Sequence, residues 1–131
     1  MIIPTTDEII EIHKKLTLAT GGSSGLRSIE LLESAVLGCS QTFDGEDIYP
    51  TVIEKASRMA YGICRNHPFV DGNKRVAVTV LLVVLRLNDI ELSFTQKELI
   101  ALGLGMADGS IDYEDIITWV NAHLLGQKGK R

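Results

Sequence analysis

Apolar residues recur at three- and four-residue intervals along most of the chain, a period that predicts helices. Ile9, Ile12, Leu16 and Ala19 form the stripe of a first helix. Thr5 with Glu8 makes a capping box at its start, and Gly21-Gly22 stops it. Residues 21–27 read as a flexible loop. Ser28 can cap a second helix through Leu31, Leu32, Ala35, Val36 and Cys39. From Gln41 to Pro50 the period breaks. Asp44-Gly45 is a turn signal between short runs that include Thr42, Phe43, Ile48 and Tyr49, which predicts a hairpin-like flap. Pro50 suits the first turn of a third helix, with Val52, Ile53, Ala56, Met59, Ala60 and Ile63 on its buried side. That helix ends near Asn66, because Pro68 disfavours helical backbone at His67.

A fourth helix, from about Asn73 to Asn88, is apolar nearly all round: Val76, Ala77, Val78, Val80, Leu81, Leu82, Val83, Val84 and Leu85. Such a helix belongs at the centre of a bundle. Glu91 to Phe94 reads as a short extended piece. Thr95 with Glu98 is a second capping box, opening a helix to about Met106. Asp108-Gly109-Ser110 turns the chain into a last helix from about Ile111 to Leu125, packing Ile116, Trp119, Val120 and Leu124. The expected fold is all-α, a compact six-helix bundle around one central apolar helix with a short flap before the fourth helix. A single domain over residues 1–125 and a basic flexible tail over residues 126–131 are expected.

Composition narrows the function more by exclusion than by indication. The chain has 131 residues, 45% apolar and 23% charged, which suits one globular core and not a disordered segment. Lys and Arg total 13 against 17 Asp and Glu, a net charge of −4. That sign gives no overall pull toward nucleic acid or anionic lipid, so neither is an expected partner. The basic run Lys128-Gly129-Lys130-Arg131 reads as a solvated end. Cys39 and Cys64 stand alone in apolar patterns and read as small buried residues in a reducing compartment. Met1 to Glu8 has no charged and apolar regions of a signal peptide, and the apolar run Val76–Leu85 is too short to cross a bilayer. A cytoplasmic location is expected. His13 and His123 read as surface or core-edge positions with no assigned role, and Tyr113 and Trp119 as core.

One segment stands out: His67-Pro68-Phe69-Val70-Asp71-Gly72-Asn73-Lys74-Arg75. It feeds directly into the N-terminus of the most apolar helix. First-turn amides without intrahelical partners, together with the helix dipole, make such an end an anion site. Gly72 lets a ligand approach the backbone. Lys74 and Arg75 put two cations where the dipole disfavours them, an arrangement that helix stability does not ask for and a polyphosphate would. Asp71 is a hard oxygen ligand that, with phosphate oxygens and water, suits Mg²⁺. His67 can act as general base on a hydroxyl. Phe69 falls between the polar groups and is expected to point into the core. The same residues also fit a plainer reading, with His67 closing the third helix, Asp71 or Asn73 capping the fourth, and Lys74 and Arg75 solvated. The segment is not a Walker A loop.

These nine residues match the signature of the Fic/Doc family, and the chain resembles its Doc ("death on curing") branch, toxins of toxin–antitoxin pairs. Gln41-Thr42-Phe43, Tyr49-Pro50, Glu54-Lys55-Ala56 and Leu85-Arg86-Leu87-Asn88 resemble the flanking stretches of that branch, so the likeness runs from about Ile9 to Trp119. The resemblance implies that His67 deprotonates a target hydroxyl and that Asp71 holds Mg²⁺. It implies that Gly72, Asn73 and the helix amides cradle the phosphates of ATP, that Arg75 binds their charge, and that Arg65 approaches the nucleotide. The flap at Gln41 to Ile48 would align a target segment by strand addition.

Most Fic proteins are adenylyltransferases and carry Gly where Lys74 stands, and usually where Val76 stands. In the Doc branch this departure goes with an inverted nucleotide and transfer of the γ-phosphoryl group to a Ser/Thr hydroxyl. The family precedent for a target is a translation elongation factor, elongation factor Tu. Adenylyl transfer is the alternative, phosphocholine transfer a remoter variant, and a catalytically inactive binding or co-regulatory module a third reading. The self-inhibitory Ser/Thr-x-x-x-Glu-Gly/Asn helix of many relatives is absent, since Asp47 and Asp115 follow the two stretches with the right spacing. Inhibition by a helical segment of a cognate antitoxin is therefore expected.

Overall fold

The computed structural model describes residues 1–23 and 25–125, so the tail expected over residues 126–131 lies outside the described residues. The order is α1 (Thr6–Thr20), α2 (Ile29–Gly38), β1 (Thr42–Phe43), β2 (Glu46–Asp47), α3 (Val52–Asn66), α4 (Asn73–Leu87), α5 (Gln96–Asp108) and α6 (Tyr113–Ala122). The all-α bundle with its short hairpin is the architecture the hydrophobic pattern predicts. No described helix is long and apolar enough to cross a membrane.

Local chemistry starts nearly every helix. Thr5, Thr51, Thr95 and Asp112 each form reciprocal capping boxes, and Ser28 caps α2 through the Leu31 N–H. Two boundaries differ from the expectation. Pro50 lies before the N-cap Thr51 rather than inside α3. α6 starts at Tyr113, because Ile111 is drawn back to α5, where its N–H donates to Gly105 O at 3.0 Å and its side chain packs on Gly105. It ends at Ala122, and Leu124 then pairs with Leu92 in the extended piece before α5.

α4 shares the centre with α3. α4 packs against α1, α3 and α5, while α3 packs against α2, α4, α5 and α6. Ala56, Ala60 and Gly62 keep α3 thin enough for close approach, and Met59, Ile63, Val76, Val80, Leu81 and Val84 fill the space between. α4 is not wrapped on every side. Thr79, Leu82 and Val83 are half-buried and line shallow grooves on the outer surface.

The hairpin pairs Thr42 with Asp47 and Phe43 with Glu46. Asp44 and Gly45 both have positive φ, 54° and 81°, as a type I′ turn requires. The hairpin is anchored to the start of α3. Lys55, in the first turn of α3, donates to Asp47 Oδ2 and to Cys39 O, each at 3.2 Å. His67 caps the opposite end of α3, and a helix of that length spans about 20 Å. The chain that borders the nine-residue segment is instead the α1–α2 connection. Val70 N–H donates to Gly25 O at 2.9 Å, Leu26 bridges Phe69, and the Arg27 and Ser28 N–H groups donate to Pro68 O.

Candidate active site

α3 delivers His67, and α4 begins at Asn73, so the loop between them turns the chain from one central helix into the other. His67 is the C-cap of α3 with φ 50° and ψ 56°, a left-handed conformation that strains a non-glycine residue by on the order of 1 kcal/mol. Arg27 holds it there. Its Nε donates to His67 O at 2.6 Å and its Nη2 to Asn66 O at 2.8 Å, placing a cation on the carbonyl end of α3. The imidazole itself is exposed. Its Nδ1 lies 3.5 Å from Asn73 Nδ2, too long to fix the tautomer.

Phe69 points into the core and is 1% exposed. Behind it lies His13 of α1, also 1% exposed, with its ring stacked on Phe69 at 3.8 Å and 9° between planes. His13 Nε2 donates to Asp71 O at 2.7 Å. The sequence places His13 at the surface or core edge with no role; it is instead buried, because this face of α1 packs against a polar loop and not against apolar side chains alone. Asn73 is buried too. Its Oδ1 accepts from Phe69 N–H at 2.9 Å and its Nδ2 donates to Phe69 O at 3.0 Å. The side chain thus clamps the loop, and only the backbone of Asn73 faces the helix mouth.

α4 is the one helix among the described residues whose N-terminus lacks a side-chain cap. Gly72 occupies the N-cap position at φ 79°, where a side chain would be strained. The free first-turn amides therefore open toward the surface, beside exposed Lys74 and Arg75. Arg75 Nη1 donates to Thr20 Oγ1 at 2.8 Å, which turns it toward α1. The Lys74 stem lies against Gly103 of α5. Arg65 reaches toward Gly109 after α5. Burial pushes the Cys64 thiol up, while Arg65 and then Lys74 pull it back, so both cations act on one point. None of Arg65, Lys74 and Arg75 forms an ion pair among the described residues. Asp71 is exposed, with Oδ1 accepting its neighbour's Gly72 N–H at 2.9 Å. A groove of about 340 Å³ leads away from Lys74 and Arg75 between α4 and α5, past Val78, Thr79, Gln96 and Leu99.

The structure thus gathers exposed His67, Asp71, Lys74 and Arg75 around the open N-terminus of α4, with Arg65 on the α5 side. An exposed imidazole beside an amide-lined cationic mouth, with one carboxylate, suits transfer of a phosphate-containing group to a hydroxyl. The profile of the Fic/DOC family matches residues 3–85, and the chain belongs to that family. Within it, the chain is 36% identical over 77 residues to Toxin Doc of Mycolicibacterium smegmatis, an alignment covering 59% of either chain. It is 28% identical over 110 residues to Protein kinase doc of Escherichia phage P1, covering 84% of this chain and 86% of that one.

Proposed function

We propose that this protein is a Doc-type toxin that transfers the γ-phosphoryl group of ATP to a Ser/Thr hydroxyl of a target protein. The carrying observation is the uncapped N-terminus of α4 under Gly72, flanked by unpaired cations and faced by an exposed imidazole. The similarity to a protein named as a kinase favours phosphoryl over adenylyl transfer. So does the Lys74 side chain, which stands at the helix mouth where the adenylyltransferases it resembles carry glycine.

In this reading the uncapped first-turn amides of Asn73 and Lys74 and the Arg75 guanidinium hold the triphosphate, Gly72 lets it approach the backbone, and Arg65 and Lys74 offset its charge. His67 takes the proton of the target hydroxyl as the new O–P bond forms, and ADP leaves with the electrons of the broken β–γ bridge. The donor set fits Mg²⁺ in one way. Asp71 supplies one carboxylate, and among the described residues no group of three or more His, Cys, Asp or Glu could cage a metal. A cation held here would need its other oxygens from phosphate and water. Bound Mg²⁺ would neutralise developing phosphate charge.

The target is an elongation factor, elongation factor Tu by family precedent, and the protein acts in the cytoplasm, where its buried free Cys39 and Cys64 stay reduced. A cognate antitoxin restrains it. The open stripe of α4, with a further groove of about 430 Å³ lined by Leu82, Val83, Leu87 and Phe94, suits a helical antitoxin segment. The test is incubation of the protein with cell extract and ATP labelled at either the α or the γ position. One protein should take up γ label, and His67→Ala should slow this by about a hundredfold or more. Uptake of α label alone would establish adenylyl transfer instead. No uptake of either, with antitoxin binding intact, would mark a binding module.

A further inference from the structure

We infer that His13 is the positioning residue of this site: from inside α1 it sets the place of the Asp71 peptide, and with it the turn that meets metal and phosphate. The inference rests on the nucleotide reading above and adds a residue that the nine-residue segment does not contain. A carbonyl oxygen only accepts, so the 2.7 Å contact with Asp71 O requires the hydrogen on Nε2 of His13. Nδ1 is buried with no partner among the described residues. A buried orphan of that kind weakens a fold. A phenylalanine ring in the same slot would keep the stack on Phe69 without leaving an orphan. Packing therefore does not explain a histidine here, and the hydrogen bond to the loop does.

The neighbours of His13 point the same way. A Cβ at Gly72 would lie 3.5 Å from His13 Nε2, so the ring backs directly onto the N-cap of α4. Two residues past the end of α1, Gly22 leaves room for the Asp71 carboxylate, and a Cβ there would come within 2.8 Å of Asp71 Oδ2. Thr20, in the last turn of α1, accepts from Arg75. α1 and its terminal glycines thus touch the carbonyl and the carboxylate of Asp71 and the guanidinium of Arg75. One rigid element references all three, and His13 is its buried contact.

The experiment compares His13→Phe, which keeps the ring and loses the N–H, with His13→Gln, which keeps a donor near the same point. Melting temperature and backbone amide exchange are read on the free protein, and Mg²⁺ titrations are read at fixed ATP. Expected for His13→Phe are an unchanged or higher melting temperature, faster exchange confined to residues 69–73, and about tenfold or greater weakening of the Mg²⁺ dependence. His13→Gln should recover most of the Mg²⁺ dependence. Exchange and Mg²⁺ dependence in His13→Phe equal to the parent protein would overturn the inference. So would melting and exchange disturbed throughout the molecule in both variants, which would make His13 an ordinary core residue. If the parent protein bound no Mg²⁺-ATP while His13→Phe still freed residues 69–73, the positioning role would stand and the nucleotide reading would fall.

Discussion

Asn73 turns its side chain back on the loop, and Arg75, two residues on, turns its own outward; the two substitutions should fail differently. Asn73→Ala leaves both the N–H and the carbonyl of buried Phe69 without partners. The expected loss is about 2–3 kcal/mol, read as a lower denaturation midpoint, with activity falling alongside because the loop is no longer held. Arg75→Ala gives up one exposed hydrogen bond to Thr20 and should leave stability within about 0.5 kcal/mol. Its effect belongs in nucleotide affinity, a KM for ATP raised about tenfold or more with the melting temperature unmoved. Equal stability losses in the two variants would contradict this division. The division also shows what the sequence could say about the site. The exposed groups His67, Asp71, Lys74 and Arg75 were legible, because their chemistry is unusual in front of an apolar helix. The residues that place them were not. His13 sits among apolar neighbours in α1, Arg27 in a loop 40 residues from His67, and only folding brings either to the segment.

At the level of the elements, α5 carries two buried glycines with opposite expectations. A Cβ on Gly103 would meet the Lys74 stem at 3.3 Å and Val78 at 3.4 Å, contacts that a flexible lysine can relax. Helix propensity then favours Gly103→Ala by up to about 1 kcal/mol. A Cβ on Gly105 would run into the Ile111 side chain, which the Ile111 N–H bond to Gly105 O holds in place. Gly105→Ala should therefore lose about 1–3 kcal/mol to overpacking, net of the gain in propensity. Thermal melts would separate the two, by roughly 4 °C per kcal/mol in a domain of this size. A Gly105→Ala protein as stable as its parent would show that Ile111 is free to move. The same contact explains one boundary that the sequence misplaced, since periodicity marks Ile111 as helical and only its use as a plug for Gly105 removes it from α6. Boundaries set by local chemistry were legible, as at Thr5, Gly21, Ser28, Thr95 and Gly109. The cap of α6 was not read, because Asp115 stands where Glu or Gln usually completes a capping box. The place of the hairpin was not legible either: its turn is local, but its distance from His67 depends on α3 running unbroken.

Across the whole molecule, the chain leading into α5 and its first turn is tied to the chain after α6. Ser93 N–H donates to His123 O at 2.8 Å, and Leu125 N–H to Glu91 O at 2.9 Å. The His123 ring stacks on Trp119 at 4.1 Å, and its nitrogens lie 2.7 Å from Trp119 O and 3.0 Å from Glu98 Oε2. The Thr95 N–H first, and the His123 ring second, hold the Glu98 carboxyl down to about 2 from an ordinary 4.5. The Ser110 hydroxyl and N–H lower Asp108 in the same sense. A carboxyl depressed in the folded state contributes its full stability above the unfolded value and loses it as pH falls through the folded one. The melting temperature should therefore drop between about pH 4.5 and pH 2. Glu98→Gln preserves the capping-box geometry but cannot titrate, so its melting curve should slope less over that interval and meet the parent's at the acid end. Because Glu98 is exposed, salt should shrink the part of the difference that comes from His123 and leave the Thr95 part. Parallel pH slopes in the two proteins would place the acid sensitivity elsewhere. The outcome also bears on the site, since Gln96 and Leu99 beside Glu98 form the wall of the groove that opens at Lys74 and Arg75. Loosening this tie in acid should free that wall before the α3–α4 pair melts, seen as amide exchange rising first across the start of α5.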